Sequence, residues 1–230
     1  MRIDGLQKMT LLDFPGKVAC TVFTGGCNFR CPFCHNALLV TELPENPDYT
    51  IDEIISFLKK RSGLLDGVAI TGGEPLMNPD IADFIKMVRD LGYSVKLDTN
   101  GSYPDRLKSI VGEGLVDYVA MDIKNCKEKY AETIGLNSYD LSKIEESVDF
   151  LKSGTVDYEF RTTVVNEFHT VDDIRKAAEW IKGAKRYFLQ NFVDSGNLID
   201  GSVTGVSKQM MLEMQKAAAD FVPQTEIRGI

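Results

Sequence analysis

The chain has 230 residues, 43% of them hydrophobic and 26% charged, which suffices for one sizeable core and gives no reason for a second domain, so residues 1–230 are expected to form one domain. Acidic residues outnumber basic ones 34 to 26, for a net charge of −8, which excludes the basic footprint of a nucleic-acid binder and a polybasic membrane patch. No apolar run approaches a membrane span, the first residues lack the apolar stretch of a secretory signal, and five cysteines do not suggest a disulfide framework; a cytoplasmic protein is expected.

Taken in order, short runs rich in Val, Ile, Tyr and Phe predict strands at Lys17–Thr24, Gly67–Thr71, Ser94–Thr99, Tyr118–Ile123, Tyr158–Val165 and Arg186–Gln190. Helical spacing falls between them, at Ile51, Ile54, Ile55 and Leu58, at Ile81, Phe84, Ile85 and Val88, and at Ile174, Ala177, Ala178 and Ile181. Thr50 with Glu53 and Ser142 with Glu145 have capping-box spacing, and Asn78-Pro79 has the form of a cap followed by a first-turn proline. Gly63, Gly92, Gly154 and Gly183 stand where helices should stop, and Thr41–Tyr49, with its two prolines, is expected to be a surface loop. A last helix over Ser207–Phe221 and a short strand at Thr225–Arg228 complete the pattern. This alternation predicts an α/β fold with a parallel sheet, curled as a partial (β/α)6 barrel, whose ligands bind at the C-terminal ends of the strands.

The loop after the first strand holds Cys27, Cys31 and Cys34 in the spacing C-x3-C-x2-C, with no fourth cysteine nearby. Three thiolates leave one iron of a 4Fe–4S cluster open to a small molecule. Structural zinc needs a fourth ligand, and the remaining candidates are His35, Cys20, Cys126 and His169. His35 adjoins Cys34, so the two side chains tend to diverge. Cys20 keeps step with Val18 and Val22 inside the first strand and is expected to pack.

The loop resembles the signature of the radical S-adenosylmethionine (SAM) enzymes. Phe33 fills the aromatic position before the last cysteine, and Gly72-Gly73-Glu74-Pro75 resembles the family's Gly-Gly-Glu motif after the second strand. The resemblance implies that SAM chelates the open iron, that one electron from the cluster breaks its sulfur–5′-carbon bond, and that the resulting radical removes hydrogen from a substrate. It narrows to the activating enzymes of glycyl radical enzymes through Cys34-His35-Asn36, Asp13-Phe14-Pro15-Gly16, Leu97-Asp98-Thr99-Asn100-Gly101 and Met121-Asp122-Ile123-Lys124. Gly5-Leu6-Gln7-Lys8 through Thr21–Gly26 looks most like the anaerobic ribonucleoside-triphosphate reductase activating proteins. The expected partners are therefore that reductase as protein substrate and a flavodoxin or ferredoxin as electron donor. Pyruvate formate-lyase activases carry a histidine at the sixth strand where this chain reads Phe188-Leu189-Gln190-Asn191-Phe192, a departure in which Gln190 or Asn191 substitutes.

The same likeness assigns roles at the other strand ends. Gly72 and Gly73 form a tight turn that also exposes carbonyls to the SAM ammonium, and Glu74 orders the loop or accepts from that ammonium. Asp98 and Asn100 bond ribose hydroxyls or order the site, Lys124 pairs with the methionyl carboxylate, and Asp98 with Asp122 flank a monovalent cation. Phe33 contacts adenine, and His35 hydrogen-bonds near the cluster or caps the loop. Arg161 is either a carboxylate partner or half of a structural salt bridge, with the odds even. Ordinary roles are expected elsewhere: Met210, Met211 and Met214 as core, Cys126 as inert, His169 as solvent-facing and Lys124–Lys129 as a solvated loop. Two other readings stay open: a radical SAM enzyme acting on a small molecule, and a noncatalytic zinc-stabilised binding module.

Overall fold

Runs of period two alternate with runs of period 3.6, and strands and helices alternate with them. The computed structural model describes residues 1–194 and 196–229. In chain order the elements are β1 (Ile3–Thr10), β2 (Ala19–Thr24), α1 (Leu38–Thr41), α2 (Ile51–Lys60), β3 (Gly67–Gly72), α3 (Ile81–Asp90), β4 (Ser94–Thr99) and α4 (Pro104–Gly112). There follow β5 (Tyr118–Asp122), α5 (Tyr130–Thr133), α6 (Ser142–Lys152), β6 (Asp157–Val164), α7 (Val171–Trp180), β7 (Tyr187–Asn191), α8 (Lys208–Ala219) and β8 (Thr225–Arg228). Among the described residues the strands form one eight-stranded sheet in the order β1 to β8. The β2–β3, β3–β4, β6–β7 and β7–β8 pairs are parallel, and β1 runs antiparallel to β2. The α/β class with a mainly parallel sheet is the one expected.

β1 was not foreseen, for a physical reason. Its pairing with β2 shifts register between Ile3 and Gly5 and again between Gln7 and Thr10. Each irregularity interrupts the alternation of faces that marks a strand in sequence.

The helix punctuation holds in part. Thr50 and Glu53 form a complete capping box at α2, and Gly63, Gly92, Gly154 and Gly183 all have positive φ. Ser142, expected to cap α6, is instead its first residue: Leu141 occupies the cap and the Ser142 hydroxyl donates to Asp140. Asp140 lies two residues upstream, and its two oxygens hold both the Ser142 amide and hydroxyl, which removes that hydroxyl from capping. Asn78 does not cap α3 either; it closes a single 3-10 turn over Pro75–Met77, and α3 begins at Ile81 after Asp80.

The chain divides into two compact units, one of Met1–Asn28, Leu38–Ala120 and Thr155–Asp157, the other of Phe29–Ala37, Met121–Gly154 and Tyr158–Ile230. The first buries Ile54 and Leu58 of α2, Phe84 and Val88 of α3, and Ile70 and Leu97 of the strands. The second buries Tyr158, Phe160, Ile174, Tyr187, Leu189 and Met214. Each such side chain contributes about 1.5–3 kcal/mol on removal from water. Met211 joins the second core, whereas Met210 is exposed, because one residue along a helix turns the side chain by about 100°. Cys20 is fully buried and burial pushes its thiol up to about 12, which suits packing. No helix among the described residues is long and apolar enough to cross a membrane.

Candidate functional site

In the first unit, the ends of β2, β3 and β4 are joined by hydrogen bonds around Glu74. β2 and β3 run in register to Thr24 and Gly72. Beyond them Gly73 N donates to Thr24 O and Glu74 N to Gly26 O, both at 2.8 Å. The two glycines are needed for this approach. Gly72 has a φ of 122°, and a β-carbon there would strike the Thr24 backbone; one at Gly73 would strike the Gly26 carbonyl. Glu74 is completely buried. Its Oε1 accepts from Thr99 Oγ1 at 2.8 Å and from Leu76 N at 3.0 Å, and its Oε2 accepts from Asn100 N at 2.7 Å. Of the two roles expected for Glu74, the structure displays the ordering one.

Asn100 extends this network to the first cysteine. Its Nδ2 donates to Asn28 Oδ1 at 3.0 Å and lies 3.8 Å from Cys27 Sγ, while its Oδ1 accepts from Ser102 N and Oγ. Asn28 Nδ2 donates in turn to Ser102 Oγ at 3.0 Å. Asn28 and Ser102 were not singled out in the sequence; each lies within two residues of a chosen position. Asp98 forms an ion pair with Lys96, so its carboxylate already has a cationic partner.

In the second unit the chemistry is charged and aromatic. Cys31 is buried and Cys34 half-buried, in a turn where Cys34 N donates to Cys31 O at 3.1 Å. Asp200 N donates to Pro32 O at 2.9 Å, tying the segment after β7 onto this turn. Phe33 is buried against the rings of Phe168 and His169, with centroids 5.9 and 6.4 Å away. His35 stacks on Phe192 at 5.2 Å. Gln190 stands at the end of β7, in register with Thr163 of β6 and Arg228 of β8.

Asp122 is gripped from two sides: Oδ1 accepts from Arg161 Nε and Oδ2 from Lys124 Nζ, each at 2.9 Å. Burial alone would raise its carboxyl, but Arg161 and Lys124 outweigh it and hold the group down at about 2. Burial would likewise lower the Lys124 ammonium; Asp122 and then Cys31 reverse that and raise it. Arg161 thus makes the salt bridge that was one of its two readings, and Lys124 shares the same carboxylate. Burial pushes the Cys34 thiol up, and the Asn36 amide and the Lys124 charge offset this only in part.

Two expectations about surrounding residues are corrected. His169 is buried, not solvent-facing: Nδ1 accepts from Val165 N at 3.1 Å and Nε2 donates to Lys124 O at 2.8 Å, in the tautomer this network requires. Its place just before α7 does not expose it, because the ring is held between the Val165 amide and the Lys124 carbonyl. The segment Lys124–Lys129 is likewise not simply solvated. Asn125 and Cys126 are buried, Asn125 Nδ2 bonds Thr133 and Phe168, and Cys126 Sγ lies 3.7 Å from Asp173. Burial pushes the Cys126 thiol up to about 11, consistent with an inert role.

The donor set suits an iron–sulfur cluster. None of Cys27, Cys31 and Cys34 is in a disulfide, and thiolates are the soft ligands such clusters take. Cys27 has an amide donor beside its sulfur, and the Lys124 charge acts on both Cys31 and Cys34 in the direction that favours the thiolate. Among the described residues no three His, Cys, Asp or Glu side chains are gathered in a metal-holding group, so the fit rests on donor chemistry, spacing and these neighbours.

The family profile described as Radical SAM superfamily matches residues 21–196. A Methanocaldococcus jannaschii protein bearing the name glycyl-radical enzyme activating enzyme MJ1227 is 32% identical over 83% of this chain and 79% of its own length. The pyruvate formate-lyase-activating enzyme of Clostridium pasteurianum is 26% identical over 96% of this chain and 90% of its own. Among solved structures, Streptococcus suis SuiB bound to S-adenosylmethionine superposes with a TM-score of 0.70 over 89% of this chain at 12% identity, which establishes likeness of fold. The match covers 48% of SuiB, so this chain spans about half the length of that protein.

Proposed function

Because the chain belongs to the radical SAM superfamily, we propose that it is an activating enzyme that generates a glycyl radical on a partner enzyme, with anaerobic ribonucleoside-triphosphate reductase as the favoured partner. The observation that carries this reading is the 32% identity, over most of both chains, to a protein named as such an activating enzyme. The reductase assignment draws on the sequence likeness of the segment from Gly5 to Gly26. The absence of histidine from Phe188–Phe192 weighs against pyruvate formate-lyase as the partner.

A 4Fe–4S cluster with SAM supplies one-electron cleavage of the sulfonium and the removal of hydrogen from a glycine α-carbon. The residues of this chain bind, orient and shield. Cys27, Cys31 and Cys34 would hold the cluster, with Asn100 fixing the Cys27 sulfur from one side. Gly72 and Gly73 would present their carbonyls to the SAM ammonium, while Glu74 fixes the strand ends through its three donors. Lys124 and Arg161 would share their charge between Asp122 and the methionyl carboxylate. Phe33 and His35 line the loop beside the adenine, and Asp98 and Gln190 the strand ends. A monovalent cation at Asp98 and Asp122 would compete with Lys96 at the former and with Lys124 and Arg161 at the latter, and so is disfavoured. The electron would come from a flavodoxin or ferredoxin in the cytoplasm, and residues 1–230 would act as one domain.

The test is anaerobic reconstitution of the full chain. We expect about four irons per chain and no zinc, and loss of that iron in Cys27→Ala, Cys31→Ala and Cys34→Ala but not in Cys20→Ala. Mixing the reduced, SAM-loaded chain with the reductase should give a glycine-centred signal in electron paramagnetic resonance. Cleavage of SAM with no such signal on any glycyl radical enzyme would point to a small-molecule substrate. Zinc in place of iron would point to the binding module.

A further inference from the structure

Strands of a parallel sheet are usually apolar throughout, yet β4 buries a full charge. Lys96 stands in register with Ala69 of β3, and only 2% of the residue is exposed. Val95 and Leu97 are fully buried on one face of the strand, so Lys96 and Asp98, two residues apart, share the other. The Lys96 ammonium forms an ion pair with Asp98 Oδ1, with the lysine side chain 3% exposed and the aspartate 15%. Among the described residues Asp98 is the one acceptor that this ammonium takes.

Stability does not account for the pair. Removing an ammonium and a carboxylate from water costs about as much as their attraction returns, and an apolar pair of similar volume would serve a core as well or better. Its position does account for it. Asp98 directly precedes Thr99 and Asn100, both of which donate to Glu74, so its carboxylate is held at a strand end of the kind where ligands bind. The family likeness implies that Asp98 and Asp122 flank a free monovalent cation. The residues do not fit that role, because each carboxylate already holds side-chain cations of its own: Lys96 on Asp98, and Lys124 with Arg161 on Asp122. Lysine is the side chain suited to replace such an ion. Its ammonium is a compact point charge, close in size to a potassium ion, whereas a guanidinium is broad and planar.

We propose that Lys96 is a tethered cation: its ammonium takes the place of a free monovalent ion at Asp98, so that this strand end is charge-balanced without potassium or sodium. Lys96 is thereby a positioning residue, acting on a bound ligand through Asp98. What this implies for SAM rests on the function proposed above; the charge balance of the strand end does not.

The experiment measures thermal unfolding of the full chain in choline chloride and in potassium chloride at equal ionic strength, for wild type, Lys96→Ala, and Lys96→Ala combined with Asp98→Asn. Lys96→Gln, which keeps most of the stem, is carried in parallel in case Lys96→Ala does not fold. We expect wild type to melt at the same temperature in both salts. Lys96→Ala should melt about 10 °C lower in choline and recover about half of that loss as potassium saturates the vacated place. The double variant should not respond to potassium, a result that a merely structural lysine would not produce. In the reconstituted chain, SAM affinity measured by equilibrium dialysis should be the same in both salts for wild type, and about tenfold weaker in choline than in potassium for Lys96→Ala. Potassium dependence already present in wild type would overturn the proposal. So would a loss in the folded single variants that potassium does not reduce, or failure of both to fold even in potassium. If the unfolding results hold but wild type binds no SAM in either salt, it is the proposed function that fails and not the tethered cation.

Discussion

The two units solve the same problem, holding strand ends and a cysteine loop in place, by different chemistry. In the first, one buried carboxylate, Glu74, accepts from neutral donors on Leu76, Thr99 and Asn100, and amides carry the order onward to Cys27. In the second, Asp122 is held by two full cations, and Phe33 and His35, which flank Cys34, pack on the rings of Phe168 and Phe192. Neutral donors around a single carboxylate fix geometry through short, directional bonds. A charged network also sets the local potential, so that here protonation and structure are coupled. The comparison suggests that the first unit positions backbone and the second tunes charge.

The strongest way to break this contrast is Glu74→Ala. It leaves three buried donors without an acceptor and should cost about 3 kcal/mol or more in urea unfolding; a loss below about 1 kcal/mol would remove Glu74 from the centre of its network. Asp122→Asn comes next. It leaves Lys124 and Arg161 facing each other without a full countercharge, and we expect a loss of about 3 kcal/mol, measured in the same way. A smaller effect, about 1 kcal/mol, is expected for Asn100→Ala, together with weaker retention of iron on challenge with a chelator.

The charged unit should also respond to pH. The folded carboxyl of Asp122 titrates at about 2, below its ordinary 3.8. Its contribution is therefore fully present above 3.8 and is lost as pH falls through that value towards 2. His169 gives the smallest effect, nearer neutrality. Burial lowers its pKa in the fold, so below 6.5 the unfolded chain binds more protons and stability declines as pH drops. The melting temperature should fall on acidification from about pH 7 to about pH 5.5, and His169→Gln should flatten that slope even if it lowers the curve as a whole.

Much of the fold was legible because local and tertiary preferences agree. β2 to β8, the Thr50 cap and the glycine stops follow from residue type and spacing alone. β1 escaped because register shifts break its alternation. Ser142 and Asn78 misled because a residue with capping chemistry had a nearer partner, Asp140 for the one and the preceding 3-10 turn for the other. At the candidate site the sequence located the strand ends but not the pairings. That Arg161 joins Lys124 on the Asp122 carboxylate, or that His169 is buried against the Lys124 carbonyl, depends on contacts 39 and 45 residues apart; nothing in local spacing encodes them.

The last strand has a further consequence for how the chain is made. Arg228 grips both oxygens of the buried Glu159, at 3.0 and 3.1 Å, and its guanidinium lies 3.5 Å from the centre of the Phe188 ring. Glu159 is synthesised 69 residues before that counterion exists. At ordinary translation speeds of about 5–20 residues per second, this is roughly 3–14 s during which a carboxylate destined for the interior stays hydrated on the ribosome. The ion pair that covers Glu159 therefore cannot form until β8 has been synthesised.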